Sequence, residues 1–94
     1  HLMAKAMNRS IMNIIFSRVA FREFAKLERS VQKKIHEKLC FYCSSVEPLS
    51  FADTLQDSRY GQYRFRIGDY RVLFDVEEGS LMILRIGHRK DVYK

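Results

Sequence analysis

The chain has 94 residues, room for one compact domain. Apolar residues make up 47 %, with seven Phe and five Tyr, so a packed core is within reach and a disordered chain is excluded. No apolar run approaches a membrane span, and a net charge of +6 directs attention to polyanionic partners such as RNA.

Residues 1–11, opening His1-Leu2-Met3, read as a tag or leader remnant that would be poorly ordered, and 12–94 as a single domain. A first strand fits Met12 to Phe16. Ser17 is placed to cap a helix whose apolar positions Ala20, Phe24 and Leu27 recur at helical spacing, with Arg18, Arg22, Lys26 and Arg29 largely on the other side. Ser30 reads as a second N-cap, opening a helix with Val31, Ile35, Leu39 and Tyr42 on one face. Cys40 and Cys43 fall inside that helix. No second Cys or His pair follows at ligand spacing, so packing is expected of them and no metal or cofactor is implied. Free thiols fit a reducing, cytoplasmic setting. Pro48 ends the helical region, and the Ser-, Asp- and Thr-rich stretch to Arg59 reads as a loop.

From Tyr60 the period becomes alternating. Tyr63, Phe65 and Ile67 alternate with Arg64 and Arg66, and Gly68-Asp69 is a two-residue turn signal of the type II′ kind. A strand from Tyr70 to Val76, a turn over Glu77–Ser80 and a strand from Leu81 to Ile86 complete a meander. The expected class is α+β: a small antiparallel sheet, made of the N-terminal strand plus the C-terminal three-stranded meander, with two helices packed on one face.

The two-residue turn fixes a register: Ile67 faces Tyr70, Arg66 faces Arg71, Phe65 faces Val72 and Tyr63 faces Phe74. One hairpin face is then apolar, and the other holds Arg64, Arg66 and Arg71. Like charges directly opposite cost a sheet a few tenths of a kcal/mol or more. A phosphate would remove that repulsion, because guanidinium forks match its oxygens; the alternative is that Asp69 and Asp75 neutralise the face. The segment Gly87–Lys94 adds His88, Arg89, Lys90, Tyr93 and Lys94. With a two-residue turn at Glu78-Gly79, His88 falls on the Arg71 face; a bulged turn would move it to the other. Tyr93 offers a plane on which an RNA base can stack.

From Met12 onward the chain resembles the RelE branch of the RelE/ParE toxin superfamily. The most specific pieces are Tyr63-Arg64-Phe65-Arg66-Ile67-Gly68-Asp69-Tyr70-Arg71-Val72 and Ile86-Gly87-His88-Arg89-Lys90-Asp91-Val92-Tyr93. The resemblance implies the toxin of a type II toxin–antitoxin system: a metal-independent endoribonuclease that cuts mRNA in the ribosomal A site by 2′-hydroxyl attack and so inhibits translation. It implies as partners the ribosome, mRNA and a cognate antitoxin encoded by an adjacent gene, and no membrane. The family's strand cations correspond to Arg64, Arg66 and Arg71, and its C-terminal arginine and tyrosine to Arg89 and Tyr93. The expected catalytic set is Arg66, Arg71, Arg89 and Tyr93, joined by His88 as the nearby side chain whose ordinary pKa suits proton transfer near neutrality, with Arg64, Arg59, Lys90 and Lys94 as RNA-binding groups. An acidic or amphipathic antitoxin segment would cover the basic face or displace the C-terminal segment. Well-known members carry lysines where this chain has Arg64 and Arg66, and arginine in effect cannot lose a proton. A lysine base therefore cannot be carried over. Two other functions fit the same fold: a ParE-like DNA gyrase inhibitor without nuclease activity, and an inactive antitoxin-binding module.

Overall fold

The computed structural model describes residues 12–94; the expectation of a tag or leader over 1–11 lies outside them. The first strand, β1, is Asn13–Phe16. Ser17 caps the following helix, α1 (Arg18–Ala25), its Oγ accepting from the Ala20 N–H at 3.0 Å. The same hydroxyl donates to the Leu84 carbonyl at 3.1 Å, so one side chain starts the helix and ties it to the far end of the sequence.

The second helix, α2 (Arg29–Ser44), starts a residue before the expected cap. Glu28, not Ser30, is its N-cap, because the Val31 and Gln32 N–H groups already donate to the Glu28 carbonyl. Gln32 Nε2 meanwhile donates to the Phe24 carbonyl at 2.9 Å, beside the bond which that carbonyl already accepts from the Leu27 N–H, and so ties α2 to the end of α1. Ile35, Leu39, Tyr42 and Cys43 are the buried residues of α2, at the helical spacing read from the sequence.

The stretch from Pro48 to Arg59 is not simply a loop. A 3₁₀ turn at Pro48–Phe51 and another at Ser58–Tyr60 flank a two-residue strand, β2 (Asp53–Thr54). Then come β3 (Tyr63–Ile67), β4 (Tyr70–Glu77) and β5 (Ser80–His88). The five strands lie in the order β1-β5-β4-β3-β2. The class is α+β as expected, with two refinements: β2 adds a strand, and β1 pairs with β5 in parallel, which makes the sheet mixed.

The hairpin register is the one the turn dictates, including Arg66 opposite Arg71. Gly68 has φ +60°, which the first position of a type II′ turn requires. Glu78 and Gly79 both have positive φ, as a two-residue type I′ turn needs. Between β4 and β5, however, the register slips: Phe74 faces Ile83 while Leu73 faces Arg85, leaving Leu84 as a bulge. The slip turns Ile83 and Ile86 both inward, where an uninterrupted alternation would have buried Arg85.

The main core lies between the helices and one sheet face. Phe65, Val72, Phe74, Leu81 and Ile83 are fully buried there with Ile35 and Cys43. The Phe65 ring stacks on Phe74 and meets Tyr42, both at 4.5 Å between centroids. Leu73 and Val92 are also buried but belong to no part of that cluster. Leu73 points to the opposite sheet face, and Val92 lies 3.6 Å from where a Cβ on Gly87 would be. The C-terminal segment is therefore folded over the second face.

Candidate RNA-binding face

Alternation along β3 and β4 sends Arg64, Arg66 and Arg71 to the face that the helices leave uncovered. The Leu84 bulge adds Arg85 to them, since Arg85 pairs with Leu73. Sequence reasoning missed Arg85; the signal was apolar Leu81, Ile83 and Ile86, whose spacing breaks a strict period of two. The bulge also overturns the placement of His88. It pairs with Tyr70, rings 5.5 Å apart, on the helix side of the sheet and away from Arg71. The turn is two residues long as supposed, but the extra residue lies inside the ladder.

Each arginine has a partner within the chain. Asp53, on β2 directly opposite Arg64, accepts from Arg64 Nε and Nη2 at 3.0 and 2.9 Å. Arg66 Nε stands 3.0 Å from the same Oδ2. Arg71 Nη1 donates to the Gly68 and Tyr70 carbonyls at 2.8 and 2.9 Å, and among the described residues it has no carboxylate. The Arg66–Arg71 repulsion is relieved by turning one guanidinium to Asp53 and the other to the turn. Asp69 contributes at the hairpin tip, 3.6 Å from Arg89 Nε, while Asp75 accepts from the Gln62 N–H instead of pairing with an arginine. Arg85 is held bidentately by Glu23 of α1, which also accepts from the Ile86 N–H on the free edge of β5.

The C-terminal segment closes the face. Tyr93 Oη accepts from Arg64 Nη1 at 2.8 Å, leaving its own O–H free to donate. That bond, followed by those to Asp53, holds the Arg64 guanidinium above its ordinary pKa. The Glu23 carboxylate does the same for Arg85. The Tyr60 ring meets the Tyr93 ring edge-on at 5.0 Å, and the Arg59 guanidinium lies 5.4 Å from the Tyr60 centroid. Arg59 is itself bonded to Asp57, which lies below the usual carboxylate range for that reason. Lys90 and Lys94 are exposed, the latter 3.6 Å from Asp91.

The structure thus gathers Arg64, Arg66, Arg71 and Tyr93 on one face, with Arg89 at its hairpin end and Arg59 at the other, and separates His88 from them. Arg66 and Arg89 remain more than half exposed and so open to a ligand. Asp53 and Tyr60 belong to the same face; the polar composition around Asp53 hid its strand from sequence reading. Chemically the face offers guanidinium forks for phosphate, two phenol rings for bases and, between Arg64 and Arg66, the Asp53 carboxylate.

Comparisons with known proteins agree with this architecture. The family profile described as ParE toxin of type II toxin–antitoxin system, parDE, matches residues 14–93. The toxin RelG of Mycobacterium tuberculosis is 33 % identical over 81 residues, covering 84 % of this chain and 92 % of that protein. The toxin RelE3 of Methanocaldococcus jannaschii is 23 % identical over 84 residues, covering 87 % and 96 %. Among solved structures, the toxin–antitoxin complex RelBE2 of Mycobacterium tuberculosis matches with TM-score 0.69 and 29 % identity, over 83 % of this chain and 98 % of that one. The RelB–RelE complex of Methanococcus jannaschii matches with TM-score 0.59 and 23 % identity, over 85 % and 95 %, a likeness of fold.

Proposed function

The chain belongs to the ParE toxin family of type II toxin–antitoxin systems, and on that premise we propose that it is a metal-independent endoribonuclease that cuts mRNA in the ribosomal A site. The observation that carries this reading is the arginine face: cations from β3, β4 and the C-terminal segment beside two aromatic rings, on the sheet side free of helices. The names of the relatives, RelG and RelE3, support it.

RNA brings its own nucleophile, so the protein must align the 2′-oxygen with the phosphorus, neutralise the phosphorane and manage two protons. Arg66, Arg71 and Arg89 hold and stabilise the phosphate. Arg64, fixed by Asp53 and Tyr93, positions the backbone. Tyr93 and Tyr60 stack on or orient bases, and the free Tyr93 O–H is placed to protonate the leaving 5′-oxygen. Arg59, Lys90 and Lys94 add long-range attraction for RNA. His88, on the opposite face, has no part in this scheme.

The partner is a cognate antitoxin from an adjacent gene. An acidic segment of it covers the basic face or displaces the C-terminal segment, and toxin–antitoxin complexes among the structural neighbours support such a pairing. Co-expression with each neighbouring gene should yield one stable complex and relieve toxicity; binding by neither would overturn this.

The ParE description of the family profile favours a second reading, inhibition of DNA gyrase without nuclease activity. Primer extension on mRNA from programmed ribosomes, run beside a gyrase supercoiling assay, tests both. Ribosome-dependent cuts with unimpeded supercoiling are expected. Gyrase inhibition without cuts would replace the proposal, and neither activity would leave an antitoxin-binding module.

A further inference from the structure

We infer that Asp53 is the group that takes the proton from the 2′-hydroxyl. The inference rests on the ribonuclease reading above and fills the place that the arginines leave open. Arg64, Arg66 and Arg71 stay protonated under all working conditions and cannot accept a proton. His88 lies on the other side of the sheet. Tyr93 Oη is already an acceptor for Arg64.

Asp53 has the geometry for the task. Its Oδ2 is anchored by Arg64 Nε and Nη2 and by Arg66 Nε, all within 3.0 Å. Its Oδ1 takes no hydrogen bond among the described residues. The carboxylate is thus held by one oxygen and offers the other, beside the two guanidinium groups that would bind the phosphate. Pairing with β3 across the ladder fixes its backbone, and its side chain is about one-third exposed, open to a docking ribose.

The step balances without a co-reactant. Oδ1 takes the 2′-hydroxyl proton as the 2′-oxygen bonds to phosphorus. The P–O5′ bond breaks, leaving a 2′,3′-cyclic phosphate, and the 5′-oxygen takes a proton from Tyr93 or water. Asp53 then gives its proton to solvent, and Tyr93, where it was the donor, takes one back from solvent, which restores both groups.

The test is single-turnover cleavage of ribosome-bound mRNA by the full chain, with ribosome binding measured separately. Asp53→Asn keeps size and an acceptor oxygen but removes the base, so the rate should fall roughly 10²–10⁴-fold. Binding should stay level or tighten, which also reports a folded protein. In Asp53→Ala, added formate and acetate should restore cleavage in order of their basicity. Asp53→Asn cutting as fast as the parent overturns the inference and makes Asp53 an anion that RNA merely displaces. Rescue indifferent to basicity also overturns it, leaving Asp53 as a clamp on the arginines. A parent protein inert on ribosomes removes the ribonuclease reading itself.

Discussion

Arg71 and Arg66 face each other across β3 and β4, yet their commitments within the chain differ. Arg71 bonds only to carbonyls of its own turn, whereas Arg66 shares a carboxylate with Arg64. Arg71→Ala should therefore abolish cleavage while the melting temperature stays within a few degrees of the parent; a large loss of stability with cleavage retained would mark Arg71 as structural. Tyr93 separates two roles that one residue combines. Tyr93→Phe keeps the ring against Tyr60 and removes the oxygen bound by Arg64, so it should bind RNA as the parent does but cut more slowly. Tyr93→Ala should lose both; cleavage by Tyr93→Phe at the parent's rate would dismiss the hydroxyl, and equal cleavage by the two variants would dismiss the ring. The cysteines behave as a helix interior predicts. Burial, then the neighbouring Cys40, pushes the Cys43 thiol up to about 11. Below the ordinary thiol value the neutral buried form contributes its full stability, and that contribution is lost as pH climbs towards 11. Iodoacetamide on the folded protein at pH 8 should thus label Cys40 and spare Cys43; labelling of both at equal rates would show that the core opens.

Individual elements differ in how much of them could be read from sequence. The β3–β4 hairpin was fully legible, because Gly68 marks a turn of fixed length and alternation then dictates every facing pair. The β4–β5 ladder was not, since one extra residue at Leu84 reverses every side chain beyond it, including Arg85 and His88. β2 escaped for another reason: two residues carry no period, and Asp53 is recognisable as a strand residue only once its partner Arg64 is known. The partnership between α1 and β5 was equally hidden, being made by residues 62 apart. Glu23 takes the Arg85 guanidinium and an N–H of the strand edge together. Glu23→Ala leaves the Ile86 N–H unpartnered and Arg85 with only its 3.4 Å bond to the Lys94 carbonyl, and should lower stability by about 2 kcal/mol. For a domain of this size that is a fall of roughly 8–16 °C in Tm, measurable by thermal unfolding. A shift under about 2 °C would show that solvent replaces the carboxylate without cost.

At the scale of the molecule, the sheet separates two environments, an apolar face closed by helices and a basic face closed by the C-terminal segment. Binding of the basic face to an RNA oligonucleotide should weaken linearly in log–log plots against salt. Arg89→Ala should reduce that slope by about 1, as expected for one lost phosphate contact. Arg85→Ala, whose guanidinium is committed to Glu23, should leave it unchanged; the reverse pattern would show that RNA binds over Arg85. The general basic character was visible in composition, but composition cannot say which cations already have internal partners. The parallel pairing of β1 with β5 has a consequence in time. It joins positions 67 residues apart, as does the bond from Ser17 to Leu84. At about 5–20 residues per second of synthesis, the first strand waits roughly 3–13 s for the neighbour that completes its sheet. During that interval Leu81, Ile83 and Ile86 are missing from the core and the basic face lacks Arg85 and Tyr93. On the ribonuclease reading proposed above, a nascent chain therefore lacks the groups for cutting until its last strand and the segment that follows it have been made.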